Sequence, residues 1–358
     1  LKGKSSLMKF TEASLYLLRI PFKEAFGHSA KTRAYSDSIV VHLGGEDGVS
    51  GYGEGVARPY VTGETVKTCA KYMSRQLWPK VAGIELTNDV DSDPAGFLDQ
   101  INEILTVEGV PGDTRWHAAR TGFELAIMDA LLKRRNLSLA AILPPRRAQV
   151  TYSGVISSGP IERALRIAER FREIGLRHIK IKIGEGDERE RVAAIRDVVG
   201  PLVSLRVDAN GAYDVTRAVE VLNELAEFDV ECAEQPIPPG SPAELARVRA
   251  ESLIPLMVDE SLVTIEDARD LIAAEACDFF NLRISKCGGI ERTLALARMA
   301  ASSGVRIQLG CQVGETAILS AAGRHVAASL EDLAFVEGSY GSLLLEEDVG
   351  AEEIEFGP

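Results

Sequence analysis

Residues 178–184 read His-Ile-Lys-Ile-Lys-Ile-Gly, and no other stretch of the chain narrows the possible folds as much. Isoleucine at every second position predicts a β-strand, and its alternation puts Lys180 and Lys182 on the same side of the sheet. Two neighbouring ammonium groups repel each other, and burying either is costly unless it is neutralised or paired. Taken alone, the stretch also fits an edge strand whose lysines are solvated.

Short apolar runs downstream each end in a carboxylate: Leu205-Arg206-Val207-Asp208, Val230-Glu231-Cys232-Ala233-Glu234 and Pro255-Leu256-Met257-Val258-Asp259-Glu260. A further run, Phe279 to Lys286, ends in a lysine. The steps from Lys180 to Asp208, Glu234, Asp259 and Lys286 are 28, 26, 25 and 27 residues. That period matches one strand, one helix and two loops, the repeat of a βαβ unit. Such units close into a (β/α)8 TIM barrel, whose chemistry sits at the C-terminal strand ends. Three carboxylates flanked by lysines are therefore expected at one mouth, with Lys286 on the sixth strand.

Three carboxylates without His or Cys form a hard, all-oxygen donor set, which favours Mg2+ over zinc. A substrate carboxylate beside that cation would have a more acidic α-proton, because the resulting enediolate is stabilised. A lysine near a divalent cation and another ammonium is expected to have a depressed pKa and to act as a neutral base. Lys182 and Lys286 would then face a substrate from opposite sides.

Together with Val207-Asp208-Ala209-Asn210, Glu234-Gln235-Pro236, Val258-Asp259-Glu260-Ser261 and Ile284-Ser285-Lys286-Cys287-Gly288-Gly289, the opening stretch resembles the enolase superfamily, in particular its muconate-lactonizing-enzyme subgroup. A Lys base with Mg2+ is well established for that superfamily. The resemblance implies Asp208, Glu234 and Asp259 as Mg2+ ligands, with Mn2+ as a substitute, and Lys182 and Lys286 as the acid/base pair. It places Lys180 beside the substrate carboxylate, holding down the pKa of Lys182. Asn210 would support the metal shell and Glu260 would orient a lysine or water.

Composition fits a cytoplasmic enzyme, and barrels of this kind often form homo-oligomers, the expectation here. The 358 residues, 46% of them hydrophobic, suffice for a barrel and a smaller domain. A formal charge of −13 without a basic stripe argues against nucleic acid or anionic membrane as a partner. Five scattered cysteines read as reduced thiols.

Residues 1–7 read as a tag or ragged start and 8–143 as an α+β capping domain. Strands are expected at Phe10 to Ile20, Ser38 to Leu43 and around Gly51 to Gly53, and helices at Glu64 to Leu77, Pro94 to Leu105 and Thr114 to Arg135. Residues 144–337 form the barrel, beginning with a strand over Val150 to Ile156, and 338–358 return to the cap. By the resemblance, two cap loops, Pro21 to Arg33 and Glu54 to Glu64, close over the mouth and offer Phe26, His28, Arg58 and Tyr60 as substrate contacts. Cys311 follows the seventh strand and can touch substrate or simply form a small apolar wall. His178 reads as a satisfied interior histidine.

The small-molecule carboxylate substrate is the open question. Glu337 at the eighth strand end is available for a cationic or amide group, whereas Phe335 stands where dipeptide epimerases carry a second acid. The leading expectation is a racemase or epimerase of an amino-acid derivative, N-acylated or dipeptide-like. A muconate-type cycloisomerase, a dehydratase and a catalytically inactive metabolite-binding barrel are the alternatives.

Overall fold

In the computed structural model, residues 7–28, 31–87, 90, 93–106, 116–338 and 341–351 are described. The chain opens with three antiparallel strands, β1 (Leu7–His28), β2 (Lys31–Gly45) and β3 (Ser50–Gly55), and β4 (Glu85–Thr87) joins the far edge to give the order β3-β2-β1-β4. Five helical pieces lie on or beside this sheet. Helix α1 (Val66–Tyr72) runs through a π-helical turn at Met73–Leu77 into α2 (Trp78–Val81), followed by α3 (Pro94–Leu105) and α4 (His117–Arg135).

The long helix α4 lies directly on β3, and glycines make this contact possible. A Cβ at Gly51, Gly53 or Gly55 would come within 2.1, 2.0 and 2.1 Å of the carbonyl oxygens of Ala126, Gly122 and Ala118. Alternate glycines on a strand thus match small residues every fourth position on a helix, so the two backbones touch.

The remaining strands form one parallel eight-stranded sheet: β5 (Gly154–Ile156), β6 (His178–Lys182), β7 (Ser204–Asp208), β8 (Val230–Glu234), β9 (Leu256–Val258), β10 (Phe279–Leu282), β11 (Arg306–Leu309) and β12 (Leu333–Val336). A parallel bridge between Ser153 and Glu337, with Ser153 N donating to Val336 O at 2.8 Å, joins the last strand to the first. The outer helices are α5 (Ile161–Glu173), α6 (Glu188–Val199), α7 (Val215–Leu225), α8 (Pro242–Glu251), α9 (Ile265–Ala273), α11 (Ile290–Ser302) and α12 (Ala317–Ser329), while α10 (Ile284–Cys287) is a single turn and α13 (Gly341–Leu344) follows the barrel. Beyond α13, Leu345 bridges Phe22 and Glu346 N donates to Pro21 O at 3.0 Å, so this segment lies against β1.

Period-two alternation sorts the barrel interior into layers. Cys232, Met257, Phe279 and Phe335 form a separate apolar plug at the N-terminal end. Two residues further along their strands come Glu234, Asp259, Asn281 and Glu337, so the polar layer rests on the plug.

Buried glutamates hold cap and barrel together. Glu54 on β3 accepts from Thr316 N (3.1 Å), Thr316 Oγ1 (2.7 Å) and Leu319 N (3.2 Å) at the start of α12. Glu124 on α4 accepts from Ile290 N at 2.5 Å, at the start of α11. Each carboxylate thus meets the unpaired N–H groups of a helix N-terminus.

Several local expectations need correction. Most of the expected loop from Pro21 to Arg33 is strand, over 21–28 and 31–33: after a register shift between Pro21 and Phe26, pairing resumes with Phe26 opposite Arg33 and His28 opposite Lys31. The side chains of Phe26 and His28, and Thr114 at the expected start of α4, lie outside the described residues. The first barrel strand is shorter than Val150 to Ile156. Lys286 sits not on the sixth strand but on α10 just past it, because the chain turns helical after Arg283.

Candidate active site

Strands β6, β7 and β8 are paired so that Lys182 lies opposite Asp208 and Asp208 opposite Glu234. The side chains follow suit. Lys182 Nζ donates to Asp208 Oδ2 at 2.5 Å and to Asn210 Oδ1 at 2.7 Å. Lys180 Nζ lies 3.1 Å from Asp208 Oδ2, 3.2 Å from Glu234 Oε2 and 2.8 Å from Glu337 Oε1. Across the barrel, Lys286 Nζ donates to Asp259 Oδ1 at 2.8 Å, to Asp259 O at 2.7 Å and to Asn281 O at 2.7 Å. Asp208, Glu234, Asp259, Lys180 and Lys286 are all buried.

The cap fixes the turn that carries Lys286. The His117 ring meets Lys286 O at 2.6 Å, Thr121 Oγ1 donates to Ile284 O at 3.3 Å, and Val56 N donates to Ser285 Oγ at 3.0 Å. Gln235 does the same for the carboxylates: its Oε1 accepts from Asp259 N at 3.0 Å and Ser261 N at 3.1 Å, tying the ends of β8 and β9 together.

Burial by itself would protonate these carboxylates, and the cations decide which stay charged. Against burial, Lys182 and Lys180 hold Asp208 far below the ordinary carboxylate range. Arg283 and Lys286 likewise lower Asp259, and Lys180 and Arg206 lower Glu337. Glu234 goes the other way, pushed up to about 8 by burial and by the charge of Asp208. Glu260 rises to about 7 through burial and Asp259. Lys180 is held strongly protonated: burial opposes the charge, but Glu234, Glu337 and Asp208 outweigh it. It is the hub of the ion-pair network, tied to Asp208, Glu234 and Glu337, where the resemblance had placed it beside the substrate carboxylate.

Two arginines that sequence reasoning passed over complete the cluster. Arg283 contacts Asp259, lies 3.5 Å from Glu234 and meets Gln312 at 3.3 Å. Arg206, wholly buried, donates to Glu337 Oε1 at 3.1 Å and to Ser153 Oγ at 3.1 Å while its guanidinium stacks 4.1 Å over the Phe335 ring. Arg206 shares the inward parity of Asp208 two residues further on, and that parity was the available signal; no residue singled out in the sequence marked Arg283 in the same way.

Other sequence candidates are placed differently. Glu337 is not open to a substrate cation, because Lys180 and Arg206 hold it. Arg58 is buried and donates to the carbonyls of Asp37 (2.9 Å), Ala57 (3.0 Å) and Val313 (2.8 Å), a structural clamp between cap and barrel rather than a substrate contact. Tyr60 is exposed beneath Arg33. Cys311 is partly buried and lines a cavity, with its thiol pushed well up by burial and the neighbouring acids. Asn210 adopts a left-handed φ of 47° and donates to Glu260 Oε1 at 3.1 Å. His178 is not satisfied: its buried Nδ1 has no partner among the described residues, and its ring meets Phe335 edge-on.

The donor chemistry suits a hard cation. Asn281 and Gln308 each donate an amide N–H to Glu234, at 2.9 and 3.1 Å, and leave their own Oδ1 and Oε1 buried and unmatched, as is Glu260 Oε2. Unmatched oxygen lone pairs around repelling carboxylates are what a divalent ion relieves. Among the described residues, no three acidic, His or Cys side chains already converge on one point. Each carboxylate is instead turned toward a lysine or arginine.

Residues 163–357, more than half of the chain, match the family described as enolase C-terminal domain-like. The N-succinyl-L-Arg/Lys racemase of Bacillus cereus is 29% identical over 96% of this chain and 90% of its own length. The dipeptide epimerase of Enterococcus faecalis, solved with Mg and the dipeptide L-Leu-L-Tyr, superposes with a TM-score of 0.85 at 27% identity, covering 96% of this chain and 93% of that one. The 2-chloromuconate cycloisomerase of Rhodococcus opacus gives 0.86 at 26% identity, covering 98% and 92%. The chain is therefore an isomerase that belongs to the enolase superfamily, in the subgroup of muconate-lactonizing enzyme and mandelate racemase.

Proposed function

We propose that the protein racemises or epimerises an amino-acid derivative, N-acylated or dipeptide-like, at its α-carbon. The observation that carries this reading is the pair Lys182 and Lys286, held on opposite sides of the barrel with the carboxylates of β7, β8 and β9 between them. One ammonium or amine on each face of a bound substrate allows a proton to leave one side and return to the other. Asp208, Glu234 and Asp259 would hold Mg2+, with Mn2+ as a substitute, whose positive charge makes the α-proton of an adjacent carboxylate easier to remove. Lys180 keeps that carboxylate oriented, and α10, clamped by His117 and Thr121, keeps Lys286 in place.

The test is proton NMR in heavy water with Mg2+ present, following loss of the α-proton signal from N-acyl amino acids and dipeptides. Exchange accompanied by inversion supports the reading, and silence across the pool rejects it. The second reading, a muconate-type cycloisomerase, is favoured by the engagement of Glu337, which leaves no free acid for a substrate ammonium. Falling absorbance of a cis,cis-diene diacid would identify that activity.

A further inference from the structure

Lys182 and Lys286 are held in unlike ways. Lys182 ends β6, which pairs with β5 on one side and β7 on the other, so its backbone belongs to the sheet. Lys286 lies on α10, a single turn of four residues that can satisfy few of its own backbone groups and takes its support from the cap. The Lys286 carbonyl meets Nδ1 of His117, on α4, at 2.6 Å, and the other ring nitrogen, Nε2, meets Nη1 of Arg292, on α11, at 3.2 Å. A carbonyl only accepts and a guanidinium only donates, so Nδ1 carries the hydrogen and Nε2 the lone pair. His117 is thus a neutral imidazole whose tautomer is set by the arginine behind it. We infer that Arg292, acting through His117, is a positioning residue for Lys286 alone, so that the two lysines are under separate structural control. The inference rests on the two-lysine reading above and goes beyond it in separating one lysine from the other.

The close packing around Gly288 ties the three residues together. Gly288 follows α10 with a left-handed φ of 89°, and a Cβ there would stand 3.2 Å from His117 Cγ and 3.2 Å from Arg292 Cδ. A glycine two residues after Lys286 therefore lets both side chains reach the turn. His117 is buried, and its own carbonyl accepts from Thr121 Oγ1 at 2.8 Å, which fixes the first turn of α4 beneath the ring. His117 meets Lys286 at the backbone, whereas the ammonium of Lys286 bonds Asp259 and Asn281, so the contact governs where the lysine stands. The arginine matters because of the alternative tautomer. With the hydrogen on Nε2, the lone pair of Nδ1 would face the lone pairs of the Lys286 carbonyl at 2.6 Å, and the repulsion would push α10 away from the cap. A guanidinium at Nε2 removes that alternative, and nothing comparable acts on Lys182, which the sheet already holds.

The experiment follows α-proton exchange in heavy water from each enantiomer of one N-acyl amino acid separately, together with inversion. In a two-base site each lysine takes the proton from one enantiomer, so weakening one lysine slows removal from its own enantiomer and slows inversion, while exchange with retention continues from the other. His117→Phe should slow exchange from one enantiomer by about ten- to a hundredfold, the scale of a small displacement of a catalytic group, and leave the other within about twofold. His117→Asn, whose amide N–H takes the place of Nδ1–H, should restore much of the loss. Arg292→Met should give a smaller loss on the same enantiomer, and Arg292→Lys should recover part of it. Equal slowing from both enantiomers, or no slowing in His117→Phe, overturns the inference. Nitrogen-15 NMR of histidine-labelled protein, with His117 assigned from the signal lost in His117→Asn, runs alongside. The parent should show the Nδ1–H tautomer and Arg292→Met a shift toward Nε2–H; a tautomer unchanged in Arg292→Met removes the arginine from the arrangement. No exchange from either enantiomer in the parent, with the Nδ1–H tautomer observed, would reject the racemase reading and keep the Arg292–His117 arrangement, whereas exchange with an Nε2–H tautomer would reject the arrangement alone.

Discussion

Glu54 and Glu234 are both wholly buried glutamates, yet they are satisfied in different ways. Glu54, like Glu124 in the same seam, is met by backbone N–H groups at the start of a barrel helix. Glu234 is met by an ammonium and by two side-chain amides. A helix N-terminus is a fixed partial charge that neither moves nor exchanges protons. Lysines do both. The seam is therefore fixed and the mouth can exchange protons, as the proposed chemistry requires, although each consists of buried carboxyl groups.

Replacing the movable partners separates the two regions most sharply. Lys182→Met and Lys286→Met should each slow α-proton exchange by about a thousandfold, while circular dichroism shows a folded protein. Near-parental rates in either variant would remove that lysine from the chemistry.

The pH dependence of stability should also divide. Glu64 accepts from Ala118 N at 2.9 Å and Ala119 N at 3.1 Å at the start of α4, and burial raises its carboxyl from 4.5 to about 7. The folded chain thus holds a proton there that the unfolded chain releases. The associated stability is complete below pH 4.5 and is lost as the pH climbs to about 7, by about 3 kcal/mol. Asp208 runs in the opposite sense: its lowered pKa gives stability that is present above the ordinary carboxylate value and is lost only as the pH falls below it. Urea titrations at pH 5 and 7.5 should show the first effect, and Glu64→Gln should flatten it.

The smallest effect is expected at Glu54→Gln. Burial raises the Glu54 carboxyl, so the amide removes little charge; it keeps one acceptor for Thr316 and loses one hydrogen bond at the α12 N-terminus, a cost of about 1 kcal/mol in urea unfolding. Exchange per folded molecule should be unaltered. A large fall in turnover would mean that seam and mouth are coupled.

Period and parity made the mouth legible in the sequence. Lys180, Lys182, Asp208 and Glu234 stand at the ends of apolar runs of alternating side chains, where geometry alone determines which way they face. Arg206 and Arg283 obey the same alternation but sit inside those runs, where an arginine reads equally well as an outward, solvated residue until its partner is known. Partners such as Glu337 are far away in sequence. The cap hairpin was missed because Pro21 interrupts the alternation before pairing resumes at Phe26. A strand was legible around Gly51 to Gly53, and only α4 lying against its glycines explains their spacing.

The network around Arg206 also bears on how the chain assembles. Lys180 and Arg206 are synthesised early in the barrel, but their shared counter-charge, Glu337, lies 157 and 131 residues further on. Phe335, on which the Arg206 guanidinium stacks, arrives with the same strand. Until β12 docks, a growing barrel would enclose cations without their full complement of acids, a state that strongly disfavours closure. The last strand thus works as a latch, and a fragment ending after β11 should stay open and aggregation-prone rather than form a smaller stable barrel.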